Sequence, residues 1–308
     1  MTGTRASSNV ALAATESPED RFATLTFERK VDAPLSALWH AWTAPAARQV
    51  WSAPNPSVTV EFLEADTRIG GREVSLCKAA GQPDFRCEIG WLAIDREART
   101  VNYEVVSAGG EIQSAALITA EFSGSAERSR VRVTVQLSSL AKHMAEGYRQ
   151  GFAAAIDNLA AVAERTMILE RVIAAPRSVV WGAWMNPETL PKWWGPEGFS
   201  CRTQRIELSH GGEWVFDMIG PDGTVYPNHH LYHEVRPEER IAYALLWGEN
   251  GPKHADAWAL FEEEGDKTRV TLGMVFVSVA EFQQAKGFGA IELGHQTLGK
   301  LERFINAG

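Results

Sequence analysis

The residues able to do chemistry gather in the second half of the chain. Of eight histidines, His40 and His143 stand early, and the rest follow residue 200. His229, His230 and His233 fall on one expected strand. Alternation along a strand sends His229 and His233 to one face and His230 to the other. At most two can converge, so a metal site would need a further ligand such as Asp217 or His295. No sequential metal motif is present, and no metal is assigned. His230 is read as a polar residue at the mouth of a pocket. His295 stands on an otherwise apolar helical stripe. There it would donate a hydrogen bond to a ligand oxygen, act as a general acid or base, or be a buried histidine satisfied by a backbone carbonyl.

Seven of the eleven tryptophans also lie in the second half. Trp193, Trp194, Trp214, Phe216 and Met218 are the expected apolar lining of a cavity, with Tyr243 supplying a hydroxyl. Phe288 and His295 would face it from the last helix. Ordinary core packing competes with this assignment and is favoured for Trp181 and Trp184. No Ser/His/Asp order, phosphate-binding glycine loop or carboxylate pair stands out, so no catalytic residue and no cofactor is assigned.

The elements that must position these residues follow from an internal repeat. Residues 28–51 read ERKVDAPLSALWHAWTAPAARQVW, and residues 170–193 read ERVIAAPRSVVWGAWMNPETLPKW. Glu28, Arg29, Ala33, Pro34, Trp39, Ala41, Trp42, Pro45 and Trp51 recur as Glu170, Arg171, Ala175, Pro176, Trp181, Ala183, Trp184, Pro187 and Trp193. Further on, Gly70-Gly71 answers Gly211-Gly212, Tyr103 answers Tyr243, and Phe122 answers Phe261. A period this long marks a duplicated domain rather than a solenoid. The expected organisation is a disordered N-terminal tail over 1–20, a first domain over 21–165 and a second over 166–308, with almost no linker. The recurring Glu170 and Arg171 suggest a structural ion pair.

In the second copy, Met167 to Ile173 alternates as a strand. Pro176 suits a first helical turn, and Val179, Val180, Ala183 and Trp184 follow at helical spacing. Strands then run from Glu213 to Phe276, broken by the turn Pro221-Asp222-Gly223. Val279 to Ile305 is predicted as one helix with the stripe Phe288, Ile291, His295, Leu298 and Leu301. The first copy carries the matching stripe Leu140, Met144, Tyr148, Phe152, Ile156 and Leu159. Strands grouped beside segregated helices define an α+β domain, and the long helix must cover the apolar face of the sheet.

Bulk properties narrow the partners. The 308 residues suffice for two cores, with 45% hydrophobic residues. A net charge of −9 at pH 7 argues against nucleic acid and anionic membrane surfaces, while leaving room for a basic protein partner. The three cysteines, Cys77, Cys87 and Cys201, have neither zinc nor redox spacing and fit a reducing cytoplasm.

The segment Trp193-Trp194-Gly195-Pro196-Glu197-Gly198-Phe199, the strand start Gly212-Glu213-Trp214, and Gly220-Pro221-Asp222-Gly223 with Tyr226-Pro227-Asn228 resemble one family. It is the activator of the ninety-kilodalton heat-shock-protein ATPase homologue family, within the START-like (SRPBCC) superfamily. The resemblance covers 167–308 and, more weakly, 25–164, where Trp51-Ser52-Ala53-Pro54 replaces the Trp-Trp-Gly-Pro run. It implies a helix-grip fold, in which a curved antiparallel sheet wraps the C-terminal helix around a cavity. The expected function is binding of a hydrophobic small molecule or lipid-like metabolite, mainly in the second domain. A cyclase or aromatase-type enzyme using the same cavity is the alternative. A co-chaperone-like protein-interaction module ranks third.

Overall fold

The computed structural model describes residues 21–142 and 144–307; the expected tail over 1–20, and His143, lie outside the described residues. The first half runs β1 (Phe22–Val31), α1 (Leu35–Thr43), α2 (Pro45–Trp51), β2 (Val58–Ala65), β3 (Arg72–Ala79), β4 (Phe85–Asp95), β5 (Arg99–Ala108), β6 (Glu111–Gly124), β7 (Ser129–Ser139) and α3 (Met144–Ala163). The second runs β8 (Thr166–Ile173), α4 (Arg177–Trp184), α5 (Leu190–Trp193), β9 (Ser200–Ile206), β10 (Glu213–Ile219), β11 (Val225–Arg236), β12 (Arg240–Leu246), β13 (Lys253–Glu264), β14 (Lys267–Phe276), α6 (Val279–Gly287) and α7 (Ala290–Asn306). Each half forms a seven-stranded sheet, ordered β1-β7-β6-β5-β4-β3-β2 and β8-β14-β13-β12-β11-β10-β9. This is the expected α+β class: two tandem helix-grip domains, each an antiparallel sheet with a long helix after it. Contacts cluster into two compact units, chiefly Trp42–Gly124 with Arg130–Leu159, and the chain from Ala160 onward. Among the described residues no helix is long and apolar enough to cross a membrane.

The glycine pairs set the strand entries. Gly70 and Gly211 hold φ of +76° and +81°. Beside them, a Cβ on Gly71 would lie 2.2 Å from the Asp66 carbonyl oxygen, and one on Gly212 would lie 2.3 Å from that of Glu207. Both turns therefore need a residue without a side chain. The recurring charges on the first strands work separately rather than pairing with each other. Arg171 meets Glu302 on α7 at 2.6 Å, and Arg29 meets Asp157 on α3 at 3.3 Å. Glu170 and Glu28 instead reach Arg269 and Arg130 on the neighbouring strands β14 and β7.

Three features differ from the sequence expectations. The last helix is broken: Gly289, at φ +81°, separates α6 from α7. Phe288 at that corner is 75% exposed, so it is off the helical stripe. Secondly, β9 precedes β10 and pairs with it, lengthening the expected strand run. Thirdly, Tyr103 is not the counterpart of Tyr243. Tyr103 pairs with Gly90 and is exposed, whereas Tyr243 pairs with Tyr232 and is buried. The register makes Asn102, paired with Trp91, the position equivalent to Tyr243.

Candidate ligand-binding site

A cavity of about 330 Å³ lies between α3 and the sheet of the first domain. Strand β3 gives it Ser75 and Cys77, β4 gives Phe85, Cys87, Ile89 and Trp91, and β5 gives Asn102, Glu104 and Val106. Every second residue points inward, as pleating requires. Helix α3 contributes Met144, Gly147, Tyr148, Gly151, Phe152 and Ala155, one helical face. A Cβ on Gly147 or Gly151 would meet nothing within 4 Å, so these glycines leave room beneath the helix. Gly147, in the first turns of α3, is also exposed.

The second domain shows why space remains. Strands β3 and β10 start from equivalent glycines and pair in the same register: Arg72 opposes Gly90, and Glu213 opposes Leu231. Glu73, Ser75 and Cys77 thus correspond to Trp214, Phe216 and Met218. Glu104 corresponds to Leu245, and Arg48 to Leu190 in the aligned helix. Small and polar residues in the first domain stand where the second has large apolar ones.

The polar groups of the cavity form two linked sets. Arg48, only 5% exposed, is ion-paired with the buried Glu73. Thr67 Oγ1 donates to the other Glu73 oxygen at 2.6 Å. The guanidinium lies 5.0 Å from the Phe62 ring centroid and 5.2 Å from that of Trp91. Burial pulls Arg48 down to about 9, so it stays charged at neutral pH. Glu73 does not line the cavity and holds Arg48 from behind.

Glu104 is the centre of the second set. Tyr148 donates its hydroxyl to Oε1 at 2.7 Å, and the Cys87 thiol donates to Oε2 at 3.3 Å. Ser114 Oγ lies 3.2 Å from the Tyr148 oxygen. Burial pushes the Glu104 carboxyl up, against the lowering pull of its two donors and of Arg48. Burial and the adjacent carboxylate also push up the Tyr148 hydroxyl and the Cys87 thiol. Perturbed groups in an apolar cleft are the usual mark of a functional site.

Of the residues expected to line a second-domain cavity, Trp193, Trp194, Trp214, Phe216, His230 and Tyr243 pack against one another as an aromatic cluster. Trp214 stacks on Phe216 at 3.8 Å, and His230 stacks on Tyr243 at 4.7 Å. Trp194 meets Trp193, Trp214 and His230 edge-on between 5.5 and 5.8 Å. Trp193 gives its indole N–H to the Ala183 carbonyl. Burial lowers His230 to about 3, so it is a neutral ring among rings. The Tyr243 hydroxyl is buried with no hydrogen-bond partner. Met218 packs at the edge of this cluster, His295 is half-buried on α7, and Phe288 faces solvent. Of the other histidines, His229 lies on the opposite face against Glu213 at 2.6 Å, and His233 is exposed at a bulge in β11. Cys201 is half-buried, and its thiol is pushed up to about 12 by burial.

The model of one family, described as "Activator of Hsp90 ATPase homolog 1-like protein", matches twice, over residues 32–164 and 174–306. The chain belongs to that family. Both of its activator-homologue domains are therefore copies of one family unit. No curated protein matches the chain. Solved structures similar to it include a Mycobacterium smegmatis protein at 23% identity, covering 47% of this chain and 94% of that one, with a TM-score of 0.44. A Nitrosomonas europaea protein shares 27% identity over 47% of this chain and 96% of its own, with a TM-score of 0.42. A Rhizobium loti protein shares 27% identity over 45% and 95%, with a TM-score of 0.41.

Within this activator-homologue chain, sequence reasoning missed Arg48, Glu73, Cys87, Glu104 and Tyr148 as a set. Each looks ordinary in isolation. The signal was in the repeat itself: charged residues stand in one copy at positions that are apolar in the other.

Proposed function

We propose that the first domain binds a hydrophobic small molecule non-covalently in its cavity, while the second domain is a filled, structural copy. The observation that carries this is the cavity of about 330 Å³ between α3 and the sheet, walled largely by rings and aliphatic side chains with a few polar groups, Arg48, Asn102 and Glu104 among them. Small-molecule sites are commonly of this kind, mostly apolar with a few placed polar groups. This reading puts the site in the first domain, where Ser75, Cys77 and Glu104 stand at positions that Phe216, Met218 and Leu245 hold in the second.

The test is a fluorescence titration with the neutral probe N-phenyl-1-naphthylamine. One saturable site per chain is expected, with quenching of Trp42, Trp51 and Trp91 beside the cavity. Absence of saturable binding refutes the proposal.

One observation favours a second reading, acid–base chemistry of the cyclase type: Glu104, Tyr148 and Cys87 converge within hydrogen-bond reach. A carboxylate whose proton affinity is raised by burial suits a general base. Chemical change in a cavity-bound ligand, lost in Glu104→Gln, would establish it; recovery of the ligand unaltered would exclude it.

A further inference from the structure

Resting on the proposed first-domain cavity, we infer that its ligand is a hydrophobic molecule carrying one protonated amine, seated against Glu104. The charge balance of the wall comes first. Arg48 is neutralised by Glu73, which stands behind it and outside the cavity. Ionised Glu104 therefore leaves one uncompensated negative charge. The titratable groups around Glu104 are Tyr148 on α3, Cys87 on β4 and Arg48 on α2; Cys77 on β3 interacts with Cys87. Neither Tyr148 nor Cys87 gains a charge at neutral pH, since both are pushed up.

Hydrogen-bond polarity points the same way. The Tyr148 hydroxyl and the Cys87 thiol are already spent as donors to Glu104. A carboxylate keeps further lone pairs, so Glu104 itself still presents acceptors to the cavity. A ligand carboxylate against Glu104 would meet like charge and two donors already spent; the unpartnered buried donors of the wall are Arg48 Nε and Trp91 Nε1. An ammonium supplies both the missing donors and the missing charge. Aromatic faces nearby, Tyr148 stacked with Phe152 at 5.9 Å, add a favourable surface for a cation.

Burial disfavours ionised Glu104 in the empty cavity, and a bound cation restores the carboxylate. Amine binding is thus coupled to proton release from Glu104 and strengthens as pH rises through its titration.

The experiment is calorimetric titration of the full chain with decylamine, decanol and decanoate, three probes sharing one skeleton. Decylamine is expected to bind on the order of 10- to 100-fold more tightly than decanol, the worth of a charge-assisted hydrogen bond, with decanoate weakest. Glu104→Gln is expected to remove most of that margin and leave decanol unchanged. Should Glu104→Gln not fold, the wild-type pH series decides: decylamine affinity rises with pH through the titration of Glu104 while decanol stays flat. Decanol or decanoate binding as tightly as decylamine overturns the amine inference and leaves the cavity standing. Failure of all three to bind overturns the cavity itself.

Discussion

Ser75→Phe places in the first domain the residue that fills the equivalent position in the second. Ser75 lines the cavity and is 8% exposed; its counterpart Phe216 is 1% exposed and stacks on Trp214. A phenyl ring entering existing space gains burial worth roughly 1.5–3 kcal/mol, less the cost of ordering it. A net gain of about 1–2 kcal/mol is reasonable for filling a cavity. For a domain of this size that raises Tm by roughly 2–8 °C. The same ring forced into a close-packed core would cost about 1–3 kcal/mol. The sign of the change therefore separates an open cavity from a filled one. Scanning calorimetry of Ser75→Phe beside wild type reads the stability, and N-phenyl-1-naphthylamine titration reads the site. A stabilised variant that no longer binds the probe is the expected outcome. Destabilisation with binding intact would refute the cavity assignment.

Other outcomes follow from particular contacts. Trp214→Ala should cost about 3–5 kcal/mol in denaturant unfolding, with first-domain probe affinity unchanged; a change in affinity would tie Trp214 to the ligand. Arg48→Leu should cost about 3–5 kcal/mol because Glu73 is left buried and unpaired. Arg48→Leu combined with Glu73→Gln should recover much of that loss, and a double variant no better than the single one would contradict the pairing. His230 is depressed from 6.5 to about 3 by burial. A lowered folded-state value means the unfolded chain binds the proton more readily, so this stability is complete above pH 6.5 and declines as pH falls toward 3. Its own share of the slope should approach ~1.4 kcal/mol per pH unit in that window, beside the shares of His40 and His254, which burial lowers to about 3 and about 4. His230→Phe should reduce the slope by that share in a urea unfolding series, and an unchanged slope would assign the acid sensitivity elsewhere.

The fold was legible because the duplication printed it twice. Trp39, Trp42 and Trp51 recurring as Trp181, Trp184 and Trp193 fixed the helical segment, and the glycine pairs marked both strand entries. Period-2 alternation placed Trp214 and Phe216 on the inner face correctly. What alternation does not state is whether an inward ring lines space or fills it. That depends on the summed volume of residues arriving from several strands and a helix, which is a tertiary quantity. Trp214, Phe216, His230 and Tyr243 meet ring to ring, whereas Ser75, Cys77, Gly147 and Gly151 border a cavity. The Tyr103 alignment failed for a related reason: a one-residue slip reverses the face, and only strand pairing reveals it. The break at Gly289 was visible in Gly287-Phe288-Gly289, yet the helical spacing on either side masked it.

Native mass spectrometry of the chain purified from its own host, beside Ser75→Phe prepared identically, tests the ligand-binding role most directly. A single small molecule held stoichiometrically by the wild type and absent from Ser75→Phe is the expected result. The same molecule retained by Ser75→Phe would place the ligand outside the first-domain cavity and contradict the proposal.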